Sequence, residues 1–390
     1  MSTTAQLPRA LTVELKLARP GLDIRAQFRV APGTICALAG RSGAGKSTLL
    51  QGLAGLAPVL GGRIALGNAV LYDSTKKVNL PIHARRLGWL DAQAHLFPHL
   101  SVKGNLRFGE SSRRPSEPAA GQDDFGSYVH VVQWLDLGSI LNKRPAQLQA
   151  TQRFKVALGR ALVAQPHALL LDDPLGQVPT ADHEGLLELL AEIPRRLRIP
   201  VVLVTPRMNE VIRLAHDIVI LHEGRMAGSG PAPHILSDVS LSTFLEGQHA
   251  GSVLEGEVKR HDLQWLVSEV DVLGQRVTVP AMLHAVGNRV RLKVRARDLN
   301  LHREMPFDTT ASNLLRGRIS QVLLAGDHGT YGAVAVALAP ALEPTGEEKP
   351  QEAQLWVMLT RKSIQDQEWE PGQPCVVSFK AMATQVSAWR

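Results

Sequence analysis

Nine residues at positions 40–48, GRSGAGKST, leave this chain less freedom than any other stretch of it. Glycines at 40, 43 and 45 let a loop close tightly enough for backbone N–H groups to ring phosphate oxygens. A helix starting behind such a loop adds positive potential at its N-terminus. Lys46 is then placed to reach the β and γ phosphates of a nucleoside triphosphate, and Ser47 to offer a hydroxyl to Mg²⁺, a hard cation that takes oxygen ligands. The pattern has meaning only between a strand and an apolar helix, and TICALA before it and TLLQGLAGL after it supply both. Gly40, Arg41, Ser42, Gly43, Ala44, Gly45, Lys46, Ser47 and Thr48 are therefore the expected nucleotide site.

The flanking patterns extend this into an α/β fold. Leu11, Val13, Leu15 and Leu17, then Ile24, Ala26, Phe28 and Val30, alternate as antiparallel strands do, before a turn at Pro32 and Gly33. Helical stretches at 154–164 and 181–197 each precede an apolar strand, HALLLDD and VVLVT, the αβ alternation of a parallel sheet. Residues 111–126, rich in Ser, Pro, Gly and charge, read as a surface loop. At 390 residues the chain exceeds one ordinary core. After about residue 247 the pattern changes to short alternating strands, with an acidic hairpin loop expected at 342–352. In RVRLKVRARDLNL, Val290, Leu292 and Val294 face one way and Arg or Lys the other, so Arg289 to Arg297 is expected to be a solvated strand face.

The net charge of +7 is spread along the chain instead of forming a block, which argues against nucleic acid as a partner. Cys36 and Cys375 lie too far apart in sequence for a metal-ligand spacing, and a reducing cytoplasm is the expected setting. No apolar run approaches the roughly 20 residues of a spanning helix, and no basic-then-apolar export signal opens the chain. Work at a membrane would require a partner that holds the chain there.

A second acidic element should complete a nucleotide site. Residues 168–173 form an apolar strand ending in two acids, with Asp172 placed to hold Mg²⁺ through water and Asp173 to orient or deprotonate the attacking water. The P-loop, LLLDDP, the preceding helix RFKVALGRALVAQP, and LGWLDAQAHLFPHLSVKGNLRFG between them resemble an ABC transporter ATPase over about residues 10–235. FPHL-x-V-x-x-NL, from Phe97 to Leu106, is similar to the molybdate importer ATPases. The resemblance implies an α/β P-loop NTPase of ABC type, a mixed sheet plus a helical subdomain at about 93–166. It also implies ATP and Mg²⁺, a second ATPase subunit in a homodimer, and a position on the cytoplasmic face of the inner membrane. There the surface from Phe97 to Leu106 would receive integral-membrane permease subunits.

The stretch 248–390 resembles the small all-β barrel of the same family, TOBE-like and molybdate-binding, through VRLKVRARDLNL, TASNLLRGRI and FKA. That resemblance implies oxyanion binding, molybdate included, by Thr310, Ser312, Asn313 and Lys380, because hydroxyl, N–H and ammonium donors suit a dianion.

Departures from the family pattern cluster at the elements that serve hydrolysis. Where the family has LSGGQ the chain reads Leu148, Gln149, Ala150, Thr151, Gln152; Asp173 stands for the usual Glu. Pro206 replaces the switch His, with Arg207 beside it; Ala92 replaces the lid Gln, with Gln93 next and able to serve Mg²⁺ after a one-residue slip; Pro179 replaces the D-loop Asp. For the adenine ring the one aromatic before the loop is Phe28, whose alternation with Ala26 and Val30 makes core packing the more natural role. Two functions compete on this reading: an ATP-hydrolysing subunit energising import of molybdate or a similar oxyanion, and a catalytically weak regulatory partner subunit. A soluble ABC protein acting on nucleic acid would carry tandem P-loops, and one is present.

Overall fold

A computed structural model describes residues 9–111, 126–238, 241, 251–324, 331–339 and 353–388. Most of the loop expected at 111–126, and all of that at 342–352, lies outside these. The chain divides into two compact units, Met1–Ser229 and Gly230–Arg390.

The first unit is built on an eleven-stranded mixed sheet. Strands β1 (Leu11–Arg19) and β2 (Leu22–Val30) pair antiparallel with Leu11 opposite Val30, and every second residue of each is buried, as their alternation requires. β3 (Ile35–Ala39) is buried on both faces and feeds helix α1 (Lys46–Ala54) through the Gly-rich loop. β4 (Gly61–Leu66), β5 (Ala69–Asp73) and β6 (Val78–Asn79) extend the antiparallel edge. β7 (Leu87–Asp91) is followed by helices α2 (Val102–Ser111), α3 (Tyr128–Trp134) and α4 (Ala150–Val163). β8 (Ala168–Asp172), α5 (His183–Leu197), β9 (Val201–Val204), α6 (Met208–Leu214), β10 (Asp217–His222) and β11 (Arg225–Pro231) complete the order β6-β5-β4-β1-β2-β11-β10-β3-β9-β8-β7.

Period-two geometry splits each central strand between two cores. Leu169 and Leu171 pack with α2 to α5, whereas Ala168 and Leu170 pack with α1 and the antiparallel strands. Phe28 is 8% exposed inside the second core, so its ring is a packing element and not a base-stacking platform.

His167, at the entry to β8, accepts at Nδ1 from Arg9 Nη1 at 3.0 Å. Burial, with the positive Arg86 and Arg9 nearby, pushes its pKa down to about 4 from 6.5. The unfolded chain therefore takes up a proton near pH 6.5 that the fold refuses until about pH 4, so stability falls as pH drops through that window. At pH 5 the loss is on the order of 1 to 2 kcal/mol. Urea unfolding at pH 7 and pH 5 should show a smaller pH effect in His167→Asn; an identical slope would refute this account.

The second unit opens with helix α7 (Ala232–Leu236) and continues as strands β12 (Gly251–Asp262), β13 (Val267–Val272), β14 (Gln275–Pro280), β15 (Arg289–Arg295), β16 (Asn300–His302), β17 (Asn313–Leu324), β18 (Tyr331–Leu338), β19 (Gln354–Thr360), β20 (Pro374–Phe379) and β21 (Thr384–Ala388). They form two five-stranded sheets, β14-β13-β12-β15-β21 and β16-β20-β17-β18-β19, which share one core from Leu254 to Phe379.

One expectation fails here. Arg291 and Lys293 are buried at 1% and 7% exposure, so the basic side of β15 is not a solvated face, although Arg289, Arg295 and Arg297 are exposed. The register places Arg291 opposite Glu255 of β12, and the guanidinium bonds that carboxylate at 2.9 and 3.0 Å. Burial lowers the Arg291 pKa to about 10, with Glu255 pulling it back up.

Candidate functional site

Two glycines of the loop could not be other residues. Gly40 has φ +134 and a Cβ there would lie 2.1 Å from the Leu221 carbonyl oxygen; Gly45 has φ +103 and a Cβ would meet Ile24 Cδ1 at 2.8 Å. The loop's carbonyl dipoles are taken up from within the protein. Lys46 Nζ donates to the carbonyls of Gly40 (2.7 Å) and Arg41 (2.9 Å), Arg19 Nη2 to that of Gly43 (2.9 Å), and the Gly224 N–H to that of Ala44 (3.1 Å). This compensation is the electrostatic condition for a loop that receives an anion.

Ser47, in the first turn of α1, donates its hydroxyl to Asp172 Oδ1 at 2.9 Å. The two motifs read separately in the sequence, 125 residues apart, thus meet. The parallel register of β7 and β8 sets Asp91 directly beside Asp172. Burial raises the Asp172 pKa; the Ser47 hydroxyl pulls it down, Asp173 and Asp91 push it up, and Lys46 offsets them. A hydroxyl and a carboxylate that resists carrying its charge unaided fit a hard divalent cation. Among the described residues no group of three or more His, Cys, Asp and Glu side chains could hold a metal by itself. Such a cation would share its ligands with phosphate oxygens, as Mg²⁺ commonly does.

Asp173 sits past the end of β8 with φ +46, its N–H bonded to the Val204 carbonyl at 2.7 Å and its carbonyl accepting from Gly176 N at 2.9 Å. A Cβ on Gly176 would come within 2.5 Å of Asp173 Oδ2. Arg207 turns inward: its Nη1 lies 3.0 Å from Asp173 Oδ1 and 3.0 Å from Glu210 Oε1. Burial raises the Asp173 pKa and Arg207 lowers it. Glu210, 2% exposed, also accepts from Thr205 Oγ1 at 2.7 Å and lies 3.5 Å from His183 Nδ1. None of Asp91, Glu210 or His183 stands out in the sequence, although Asp91 closes the apolar strand LGWLD much as Asp172 closes its own.

The remaining expected residues fall in three places. Leu148 is buried, Gln149 and Gln152 form a capping box at the start of α4, and Thr151 Oγ1 donates to Asp182 Oδ2. Gln93 is exposed, with its backbone N–H on Asp91 Oδ1 at 3.0 Å, and Ala92 faces Gly176. Around 97–106 the Asn105 side chain bonds both the N–H and the carbonyl of Phe97, at 2.9 and 3.2 Å, and Arg160 lies over the Phe97 ring. That ties the segment to α2 and α4.

In the second unit Thr310, Ser312 and Lys380 are exposed, and the pairing of Asn313 with Phe379 puts Ser312 and Lys380 one step beyond it on neighbouring strands. Asn313 is different. It is fully buried, its Oδ1 accepting from Thr278 N at 2.6 Å and its Nδ2 donating to the Thr278 carbonyl at 2.9 Å. Its amide bridges β14 to β17, which removes it from an exposed oxyanion site.

Residues 25–176 match the ABC transporter family. The chain is 32% identical over 373 residues, 96% of each protein, to the molybdenum import ATP-binding protein ModC of Rhodospirillum rubrum. It is 34% identical over 381 residues, 97% of this chain and 99% of the relative, to the ModC of Brucella abortus. A solved inward-facing metal-chelate type ABC transporter aligns over 70% of this chain and 98% of its own, with TM-score 0.50 and 21% identity, a likeness of fold.

Proposed function

This chain belongs to the ModC family of molybdenum import ATP-binding proteins, and from that premise we propose that it is the ATP-hydrolysing subunit of an importer for molybdate or a similar oxyanion. The observation that carries the reading is the 2.9 Å bond between Ser47 and Asp172, which joins the phosphate loop to the acidic strand end. Lys46 would exchange its two carbonyl acceptors for β and γ phosphoryl oxygens, and the loop would hold the remainder of the triphosphate. Mg²⁺ bound through Ser47 and Asp172 would supply charge neutralisation between those phosphoryl groups. Asp173 would orient the attacking water and take its proton as the bond to the leaving diphosphate breaks.

We further propose that the chain works as a homodimer on the cytoplasmic face of the membrane, with the segment around Phe97 and Asn105 receiving a permease. No helix among the described residues is long and apolar enough to cross a membrane. Ser312, Thr310 and Lys380 remain the candidates for an oxyanion in the second unit. The test is molybdate uptake by proteoliposomes that contain the permease and this chain, with ATP supplied on the side of the chain. ATP-dependent uptake is the expected result. Uptake indifferent to ATP, or an assembled transporter without turnover, would overturn it in favour of the regulatory subunit.

A further inference from the structure

We propose that Arg207 is the positioning residue for hydrolysis in this chain, aiming the Asp173 carboxylate from an anchor on buried Glu210. The inference rests on the ATPase reading given above.

The geometry has a fixed end and a movable one. Glu210 is 2% exposed, held by Thr205 Oγ1 and close to His183, so its carboxylate is an immobile counter-ion. Thr205 Oγ1 also accepts the Arg207 backbone N–H at 3.1 Å, which sets the direction in which the arginine leaves the chain. One guanidinium nitrogen then stands 3.0 Å from both carboxylates. Asp173 is held along its backbone by Val204 and Gly176, which leaves only its two side-chain torsions to aim the carboxylate. The contact with Arg207 decides that aim. It matters more for Asp than for Glu, because the shorter side chain has less reach with which to correct a poor starting direction. Pro206, the preceding residue, has no side-chain donor that could do this. An ion pair kept only for stability would change the melting temperature and leave the rate alone, whereas an error of about 1 Å in a catalytic group costs about a hundredfold in rate.

The experiment measures steady-state ATP turnover of the full chain assembled with its membrane subunits. Arg207→Ala should lower kcat about 10- to 100-fold while the KM for ATP changes less than twofold, and Arg207→Lys should fall between it and wild type. Asp173→Asn combined with Arg207→Ala should be no slower than Asp173→Asn alone, because Arg207 acts through that carboxylate. Arg207→Ala leaves Glu210 without its cation, so Arg207→Ala with Glu210→Gln serves as the companion: regained thermal stability without regained kcat supports positioning. Wild-type kcat in that companion, multiplicative losses in the Asp173 cycle, or a KM that rises in step with the fall in kcat would each overturn the proposal. Lys46→Ala separates the two readings. Turnover that depends on Lys46 but not on Arg207 sinks only this proposal, and no Lys46-dependent turnover sinks both.

Discussion

Lys46→Ala should reduce ATP turnover of the assembled transporter by about 10²- to 10³-fold or more, the scale of losing one main electrostatic contact to a reacting phosphoryl group. The ammonium has two tasks in this loop. It ties the carbonyls of Gly40 and Arg41 together, and it is the cation that a loop of this pattern extends to the β and γ phosphates. Alanine removes both, so nucleotide affinity should fall along with rate. Because Gly40 packs against the Leu221 carbonyl and Gly45 against the Ile24 side chain, contacts in which Lys46 takes no part, the fold itself should survive. Thermal unfolding within a few degrees of wild type, beside lost turnover and weakened ATP binding in calorimetry, is the combined signature. Turnover within threefold of wild type would show that hydrolysis does not depend on this loop.

Arg85→Ala should have the largest effect on stability. This residue is 2% exposed and lies beneath the C-terminal end of α1, where its guanidinium donates to the carbonyls of Gly52 (3.1 Å) and Leu53 (2.7 Å), to Leu80 O (3.0 Å) and to Asn79 Oδ1 (3.0 Å). The last carbonyls of a helix have no partner within it, and a cation there also meets the negative end of the dipole. Gly55 makes room for the group, since a Cβ there would stand 2.8 Å from Arg85 Cζ. Alanine strands several buried acceptors, at a cost of about 3 kcal/mol or more, which should lower the melting temperature by roughly 6 to 12 °C. Lysine keeps the charge but cannot reproduce the fork, so Arg85→Lys should recover less than half of the loss. A shift below 2 °C in Arg85→Ala would contradict the account. Because α1 begins at the phosphate loop, ATP affinity should drop in the same variant.

What could be read in advance follows a physical division. The loop and the strand ending in Asp172 were legible because each is a local pattern with a local cause: glycines where φ must be positive, and an apolar strand that stops at an acid. Alternation in β1, β2 and β15 correctly gave which residues share a side. It does not say what covers the other side, and the solvated face that the pattern predicts fails at Arg291 and Lys293, which are buried. Phe28 and Asn313 illustrate the same limit, since each had a plausible ligand role that packing or a Thr278 bridge had already claimed. Arg207 was visible only as a neighbour of Pro206. Its link to Glu210 is a local i,i+3 pair and Thr205 lies two residues before it, but its inward turn is completed by Asp173, 34 residues away on another element, and no spacing rule reaches that far.

The left-handed backbone at Asp173 also bears on how such a site can be redesigned. A φ of +46 is tolerated by aspartate and asparagine more readily than by glutamate, so exchanging this acid for the longer one carries a conformational penalty before any chemistry begins. A lone Asp173→Glu substitution would set side-chain reach against main-chain strain, in a space already narrowed by Gly176 and the Arg207 guanidinium. Moving this chain toward the more common acid is therefore a concerted problem, in which the turn after β8 must relax together with the side chain it carries.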